Sequence, residues 1–464
     1  MVNVTCNGQV LQAQEGALLS DVLTAAHFTV AHPCGGHGNC KKCLVTVDGH
    51  PVLSCQYRIY KDVSVVLPQQ SAIISQSGAA ETGQVSENMC FALDIGTTTL
   101  ALALVNLDSR AIIKTIVQNN PQRIYGADIM SRIDYCRRNG VEELFSCLRD
   151  AVNTMIASFA VAEVETLFVS GNTTMLHLFW KTDCSAIGMA PYTPAFLGRR
   201  EASAAMLGLQ GVRRVISLPG ISSFVGADLV AGLNWVGRPE SGKYQLLVDL
   251  GTNAEILLFS DQVLLCTAAA AGPCFEGANI SCGMSATSGA VYSYKDGQAQ
   301  TIDNAPARGI CGTGIVDVIA ALLQVGTIDE TGYMACGEFS IAPGVVLTQA
   351  DIRQFQAAKA AVCSAIITLL NHQGLQPADV ETLYISGGFS AGIDPNSAAV
   401  TGLFPKILVD KCVPIHNSSL LGCCKYAWEQ QDLSGLLSGA EYIDLSANPD
   451  FSQLFIENML FEDT

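Results

Sequence analysis

Four cysteines, Cys34, Cys40, Cys43 and Cys55, fall in the short run HPCGGHGNCKKCLVTVDGHPVLSCQ with the spacing Cx5CxxCx11C. Three thiolates within ten residues, with Gly35, Gly36 and Gly38 between them, need a loop that curls around a centre. Glycine permits the positive φ angles of such a curl and leaves backbone N–H groups free to point at sulfur. Four cysteines also suit zinc, but zinc ligands usually come as two CxxC-like knuckles without this glycine-rich span. His32 and His37 raise a Rieske-type centre, which the four available cysteines make unnecessary. Cys6 lies in a strand-like run and is not a fifth ligand. The thirteen cysteines from Cys90 to Cys424 include no CxxC and stand mostly in apolar contexts, so they read as core thiols.

A second constellation is repeated. Residues 91–105 read FALDIGTTTLALALV and residues 246–260 read LLVDLGTNAEILLFS, each an apolar strand ending in Asp, then Gly-Thr and a polar residue, then a second apolar strand. At a tight strand-to-strand turn, backbone N–H groups and hydroxyls can meet phosphate oxygens while the Asp carboxylate holds a hydrated Mg²⁺. These features single out Asp94, Gly96, Thr97 and Thr98 in one copy and Asp249, Gly251, Thr252 and Asn253 in the other. Two such hairpins facing each other would grip an ATP phosphate chain from both sides. Neither a Walker A loop nor a Rossmann GxGxxG after a first strand is present. The bland alternative is a pair of buried hairpins with no ligand.

The elements that must position these residues can be read from the flanking pattern. After Cys43, LVTVDGHPVLS alternates like a strand, turns at Asp48-Gly49 and returns, so a hairpin carries Cys55 back to the loop. Upstream, VNVTCNGQVLQAQEGALLSDVLTAA reads as a hairpin followed by a helix starting near Leu18. Residues 69–88, QQSAIISQSGAAETGQVSEN, have no sustained period and read as a flexible tether spanning roughly 25 Å. VETLFVSG at 164–171 matches VETLYISG at 380–387 in the same order as the two DxGT runs, which marks an internal duplication. The interval between paired matches is 73 residues in the first copy and 134 in the second, and the surplus holds GPCFEGANISCGM and GICGTG.

Composition bounds the rest. The 464 residues suggest about three domains. A net charge of −17 argues against a nucleic-acid surface. Hydrophobic residues make up 49% of the chain, but the longest uncharged stretches, 63–80 and 277–294, are full of Ser, Gln and Gly, so no membrane span is expected. The first residues have neither a basic nor an apolar leader region, and a cytoplasmic protein with reduced thiols is expected.

The cysteine region resembles a plant- or adrenodoxin-type 2Fe-2S ferredoxin domain, an α+β β-grasp fold, with the short final spacing seen in fumarate reductase iron–sulfur subunits. The duplicated region, with SGGFS at 386–390, resembles the acetate kinase, sugar kinase, Hsp70 and actin superfamily, a two-lobed α/β ribonuclease H-like fold. That resemblance makes DIGTTT, DLGTN and SGGF the phosphate-1, phosphate-2 and adenosine motifs. It brings Gly387 and Gly388, with Gly312 and Gly314 of GICGTG, to the nucleotide. By likeness to glycerol-kinase-type members, Asp228 of FVGADLVAGL stands where an acid opens a helix before the second hairpin. Its expected task is to orient or deprotonate the water attacking the γ-phosphate, although an ordinary helix-start Asp fits equally. Asn172 and Thr173 point at the cleft by topology, while His177 and Glu276 have no assigned role.

The fusion resembles one family over nearly the whole chain, the reductive activators of corrinoid-dependent methyltransferase systems, through NPQRIYGADIMSRI, SGNTTMLHLFW, LPGISSFVGAD, GPCFEGANI and GICGTG. The resemblance implies ATP-driven transfer of one electron from a low-potential ferredoxin to an oxidised Co(II) corrinoid, restoring Co(I). The transfer is uphill for a 2Fe-2S centre of plant type, near about −400 mV. It implies a corrinoid protein and a low-potential electron donor as partners. The expected division is a ferredoxin domain at 1–68, tether at 69–88, ATPase lobe I at 89–240 and lobe II at 241–464. A separate middle domain is expected to be lacking, because the linker leads directly into the phosphate-1 strand, which puts the family's dimer contacts in doubt and leaves a homodimer open. Two other readings stand beside this one: an activator of a 2-hydroxyacyl-CoA dehydratase type, and a redox-sensing, ATP-gated binding module without turnover.

Overall fold

A computed structural model of the chain describes residues 1–6, 8–26, 28, 43–67, 81–388 and 392–461. In the N-terminal unit, Val2–Cys6 pairs antiparallel with Gln9–Ala13 and parallel with Val63–Val66. Val63–Val66 also pairs with Leu44–Val47, which forms a hairpin with His50–Leu53. Alternation places Val4, Cys6, Val45, Val47, Val63 and Val65 on one face, against Leu19 and Leu23 of the helix Leu19–Ala25. This is the expected β-grasp arrangement. The turn has Asp48 at φ 49° and Gly49 at φ 84°, the left-handed pair that a two-residue hairpin requires. Cys6 is buried in this core, and burial pushes its thiol pKa up.

The expected tether is shorter than 69–88. Residues 81–84 lie along the strand Ala111–Asn119: Thr82 and Gly83 donate backbone N–H to Ile112 O, and Thr115 N donates to the Glu81 carboxylate at 2.8 Å. Asn106 holds Gln84 O at 2.8 Å. Polar side chains suggested solvation, but the backbone N–H groups of this stretch find acceptors on a sheet edge. Residues 69–80 lie outside the described residues.

Two six-stranded sheets follow, built alike. In the first the order is Arg200–Ser203, Val212–Ser217, Val164–Gly171, Met89–Ile95, Thr99–Asn106 and Ala111–Asn119. In the second it is Cys412–Pro414, Val380–Ser386, Tyr244–Leu250, Ala254–Phe259, Leu264–Ala269 and Ala440–Tyr442. Each contains an antiparallel meander of three strands whose first member pairs in parallel with the VETL strand, itself parallel to one more. These central strands are buried on both faces, which is why they read as continuous apolar runs rather than alternating ones. The duplicated ribonuclease H-like fold is therefore present.

The two halves exchange helices. Ala227–Val236 closes the first half in sequence and keeps Ala227, Val230 and Ala231 in the first core, while its Leu229 and Leu233 pack with Leu247, Leu257 and Phe259 of the second sheet. Ser418–Glu429, near the end of the second half, buries Leu420, Cys423, Cys424 and Ala427 in the first core. The helices cross where Gly422 meets Ala231; a Cβ on Gly422 would lie 1.7 Å from Ala231 O. Between its meander and its VETL strand the second half carries a three-stranded and a two-stranded sheet besides the helix Gly312–Gln324 and the 25-residue helix Gln349–Gln373, where the first half has the helices Ile129–Asn139 and Glu142–Ala157. Among the described residues no helix is long and apolar enough to cross a membrane.

Candidate functional site

The hairpin of the N-terminal unit brings two of the four expected cluster cysteines together. Leu44 pairs with Leu53, and Ser54 N donates to Cys43 O at 2.9 Å, so Cys43 and Cys55 flank the open end. Their sulfurs are 3.1 Å apart and both residues are buried. Two thiolates this close repel unless a cation lies between them, so the pair fits ligation of a common metal centre. Cys34 and Cys40 lie outside the described residues.

In the duplicated region Asp94 and Asp249 occupy equivalent places, each one residue before the end of its strand. Each faces a serine of the neighbouring parallel strand, Ser170 for Asp94 and Ser386 for Asp249. The following turns close alike, with Gly96 N donating to Thr99 O and Gly251 N to Asn253 O, both at 2.9 Å. Two further glycines complete the symmetry. Gly171 at φ 155° and Gly387 at φ 111° end the VETL strands, and a Cβ would lie 2.8 Å from Ile95 O or 2.1 Å from Leu250 O respectively. Only glycine lets the strand carrying the acid approach so closely.

The acids of the two halves share one cleft. Asp94 accepts from Ser419 Oγ at 2.7 Å and from Asn417 Nδ2 at 3.0 Å, while Ser418 Oγ accepts from Ser386 Oγ at 2.7 Å. Three successive residues at the start of one helix thereby tie the Asp94 strand end to Ser386, the residue that faces Asp249 on the neighbouring strand. Asp228 lies in the first turn of Ala227–Val236, its Oδ1 accepting from Leu229 N at 2.9 Å. Burial, then the charge of Asp249, raises its pKa to about 7. Burial and then Asp94 raise Asp249 to about 6, and burial raises Asp94 against the hydrogen bonds from Ser419 and Asn417. Glu255, directly opposite Asp249 in the hairpin, joins them and is raised well above the carboxylate range by burial, then by Asp228 and Asp249.

Opposite in charge is the Thr-bearing side. Thr98 Oγ1 and Thr252 Oγ1, one from each hairpin, both donate to the carboxylate of Glu276 at 2.9 Å. Arg123 and Arg132 of the first half lie close enough for Glu276 to favour their charged forms, against the burial that lowers both pKa values, that of Arg132 to about 10. Arg132 holds the first turn from beneath, donating to Thr97 O at 2.5 Å and Gly126 O at 2.9 Å. Asn172 caps the helix Thr173–Phe179 through Met175 N and donates to Thr97 Oγ1 at 3.2 Å. Thr173 instead donates to Ser222 O at 2.7 Å.

The remaining residues singled out from sequence take no part in these acid and threonine contacts. His177 is buried between Thr173 O, 2.7 Å from Nδ1, and Ala195 N, which donates to Nε2 at 3.0 Å, and it stacks on Phe196. Burial lowers its pKa first, and it serves packing as a neutral ring. Gly312 opens the helix Gly312–Gln324; Gly314 packs against Val291, whose O would be 2.1 Å from a Cβ. Around Gly388 no described residue crowds a Cβ position within 4 Å. Sequence reasoning missed Glu255, Arg123, Arg132, Asn417 and Ser419. Glu255 was two residues past a singled-out Asn253, and Asn417-Ser418-Ser419 before an apolar run is a helix-start signature. Nothing in either pattern tells which acid it would reach.

Comparison with known proteins assigns these units. The 2Fe-2S iron–sulfur cluster binding domain matches residues 1–69, the RACo middle region matches 89–237, and the C-terminal domain of RACo, the ASKHA domain, matches 243–464. The chain belongs to the RACo family. The corrinoid activation enzyme RamQ of Eubacterium limosum is 25% identical, over 98% of this chain and 98% of its own. The [Co(II) methylated amine-specific corrinoid protein] reductase of Methanosarcina barkeri is 28% identical over 76% and 72%. A solved reductive activator for corrinoid, iron–sulfur protein shares the fold at a TM-score of 0.73, with 24% identity over 99% of this chain and 98% of that one. The expected lack of a middle domain needs correcting, because the family's middle region is the stretch read as lobe I.

As a RACo-family chain the protein uses a 2Fe-2S cluster and ATP with Mg²⁺, and the residues fit both. Among the described residues no three Asp, Glu, His or Cys side chains converge as a direct metal-ligand set. Mg²⁺ keeps most of its waters and is bound through them and through substrate phosphates.

Proposed function

We propose that this chain is an ATP-dependent reductive activator that passes one electron through its 2Fe-2S cluster to the Co(II) corrinoid of a partner protein, restoring methyl-accepting Co(I). One observation carries the nucleotide half of this reading: the two DxGT hairpins face each other closely enough for a single carboxylate to take a hydrogen bond from a threonine of each. A phosphate chain in that gap would be held from both sides. Asp94 and Asp249 orient waters around Mg²⁺, and Thr97, Thr98, Thr252 and Asn253, on turns opened by Gly96 and Gly251, face phosphate oxygens. Gly387 and Gly388 lie toward the adenosine, with Gly312 and Gly314 shaping the wall beside it. Asp228, whose carboxyl titrates near neutrality, orients the attacking water or takes its proton. Cys34, Cys40, Cys43 and Cys55 hold the cluster.

When bound, the cluster supplies a one-electron carrier and the nucleotide supplies the driving free energy. The chain's own contribution is to bring the two halves to one ligand and to keep the acids poised. The reading divides the chain at 1–68, 69–88, 89–240 and 241–464, with residues 81–84 of the tether docked on lobe I, places it in the cytoplasm, gives it a low-potential electron donor and leaves a homodimer open. Anaerobic mixing of the reconstituted chain with a Co(II) corrinoid protein and a low-potential reductant tests it. Co(I) absorbance should appear only with ATP and Mg²⁺, with phosphate released in step. Reduction indifferent to ATP would refute the activator. Phosphate release that never accompanies reduction would favour the gated binding module.

A further inference from the structure

Glu276 has no place among the roles above, yet among the described residues it is the side chain that bonds to Thr98 of one hairpin and Thr252 of the other. It ends the short turn Pro273–Glu276, which the structure leaves little room to move. Phe275 is buried beside it against Phe355, ring centres 6.0 Å apart. Gly277, at φ 73°, follows, and a Cβ there would lie 2.3 Å from Met284 O. From this fixed base Oε2 accepts from Thr98 Oγ1 and Oε1 from Thr252 Oγ1, both at 2.9 Å. Arg123 and Arg132 supply the positive field it lies in.

Those are the hydroxyls, and that is the field, that an anionic phosphate needs. Each threonine hydroxyl has one proton to donate. A carboxylate and a phosphate oxygen therefore compete for it, and two negative groups in one gap repel. We infer that Glu276 stands in for phosphate in the nucleotide-free cleft, tying the two halves together until ATP displaces it. ATP arrival then exchanges one cross-cleft tie for another. This inference rests on the reading of the cleft as the ATP site.

The test uses the full chain with Glu276→Ala and Glu276→Asp, the latter keeping the charge but too short to span both hydroxyls. Calorimetry reads binding of ATP–Mg²⁺, and amide hydrogen exchange reads the 96–99 and 251–253 turns without nucleotide. Loss of the competitor should tighten ATP binding on the order of tenfold, the effect of about one charged hydrogen bond. Nucleotide-free exchange should quicken at both turns in both variants, with visible absorbance of the cluster unchanged. Weaker ATP binding together with unchanged exchange would mean that Glu276 acts on the nucleotide or metal directly, and the inference would fall. If the unsubstituted chain binds no ATP–Mg²⁺, it is the cleft reading that fails.

Discussion

Carboxyl groups gathered in one cleft without a cation hold their protons to unusually high pH. Asp228 and Asp249, raised to about 7 and about 6 by burial and by neighbouring acids, favour the protonated form in the fold. Their stabilising contribution is complete only below the unfolded carboxylate pKa of about 4, and it is lost as pH rises through about 7. Thermal unfolding of the nucleotide-free chain in chelator should therefore show falling stability from pH 5 to 8, with a shallower fall in Asp228→Asn. Mg²⁺ with nucleotide must drive those protons off, so its apparent affinity should climb up to about tenfold per pH unit per proton displaced, then level above pH 7. Proton release into weak buffer reads this directly. Asp249→Asn should lose ATP hydrolysis while the ferredoxin absorbance remains; normal hydrolysis by that variant would take the second hairpin out of the site. At this scale the sequence revealed Asp94, Asp249 and Asp228, because duplication and family likeness mark them. It hid Arg132 and Ser419, whose partners Thr97 and Asp94 are 35 and 325 positions away in the chain.

The strands and turns owe their placement to a few sites where a side chain has no room. Gly387→Ala adds a Cβ 2.1 Å from Leu250 O at φ 111°, so the strand carrying Asp249 must separate from Val380–Ser386. A loss of about 2 kcal/mol or more is expected in the denaturant unfolding of the two-lobed region, with ATP binding weakened too. Gly388→Ala, next in sequence with no described atom within 4 Å of its Cβ, serves as the control for unfolding. The hairpins and VETL strands were legible because their apolar runs end in Asp or Gly at matching places. The segment 81–84 was not: its Glu, Thr, Gly and Gln look like tether, and only the acceptor at Ile112 O shows that they dock. Helix exchange was equally hidden, since an amphipathic pattern says that a face is buried but never against which sheet.

For the molecule as a whole, electron delivery and nucleotide use should be separable in space but not in function. Anaerobic reconstitution should give two irons and two sulfides per chain; a zinc-filled site or four irons would refute the cluster assignment. Cutting the chain between 69 and 80 should leave a piece that accepts an electron and a piece that binds ATP. Co(II) reduction should fall because the mM-order effective concentration supplied by a short tether is lost. Excess ferredoxin piece should recover part of the rate, and undiminished reduction by the ATPase piece alone would show that electrons enter elsewhere.

The exchanged helices also fix the order in which the molecule can be made. Asp94 waits for Asn417, 323 positions later, and the first core stays open until Leu420, Cys423 and Cys424 arrive. During synthesis the leading half therefore leaves the ribosome with an unfilled apolar face, and only the last tenth of the chain can seal it. A cut between 240 and 241 would leave the second lobe its main core but strip its outer face of Leu229 and Leu233, and would leave the first core without Leu420, Cys423 and Cys424; a nascent chain stalled before Ser418 would be a substrate for chaperones rather than a folded intermediate.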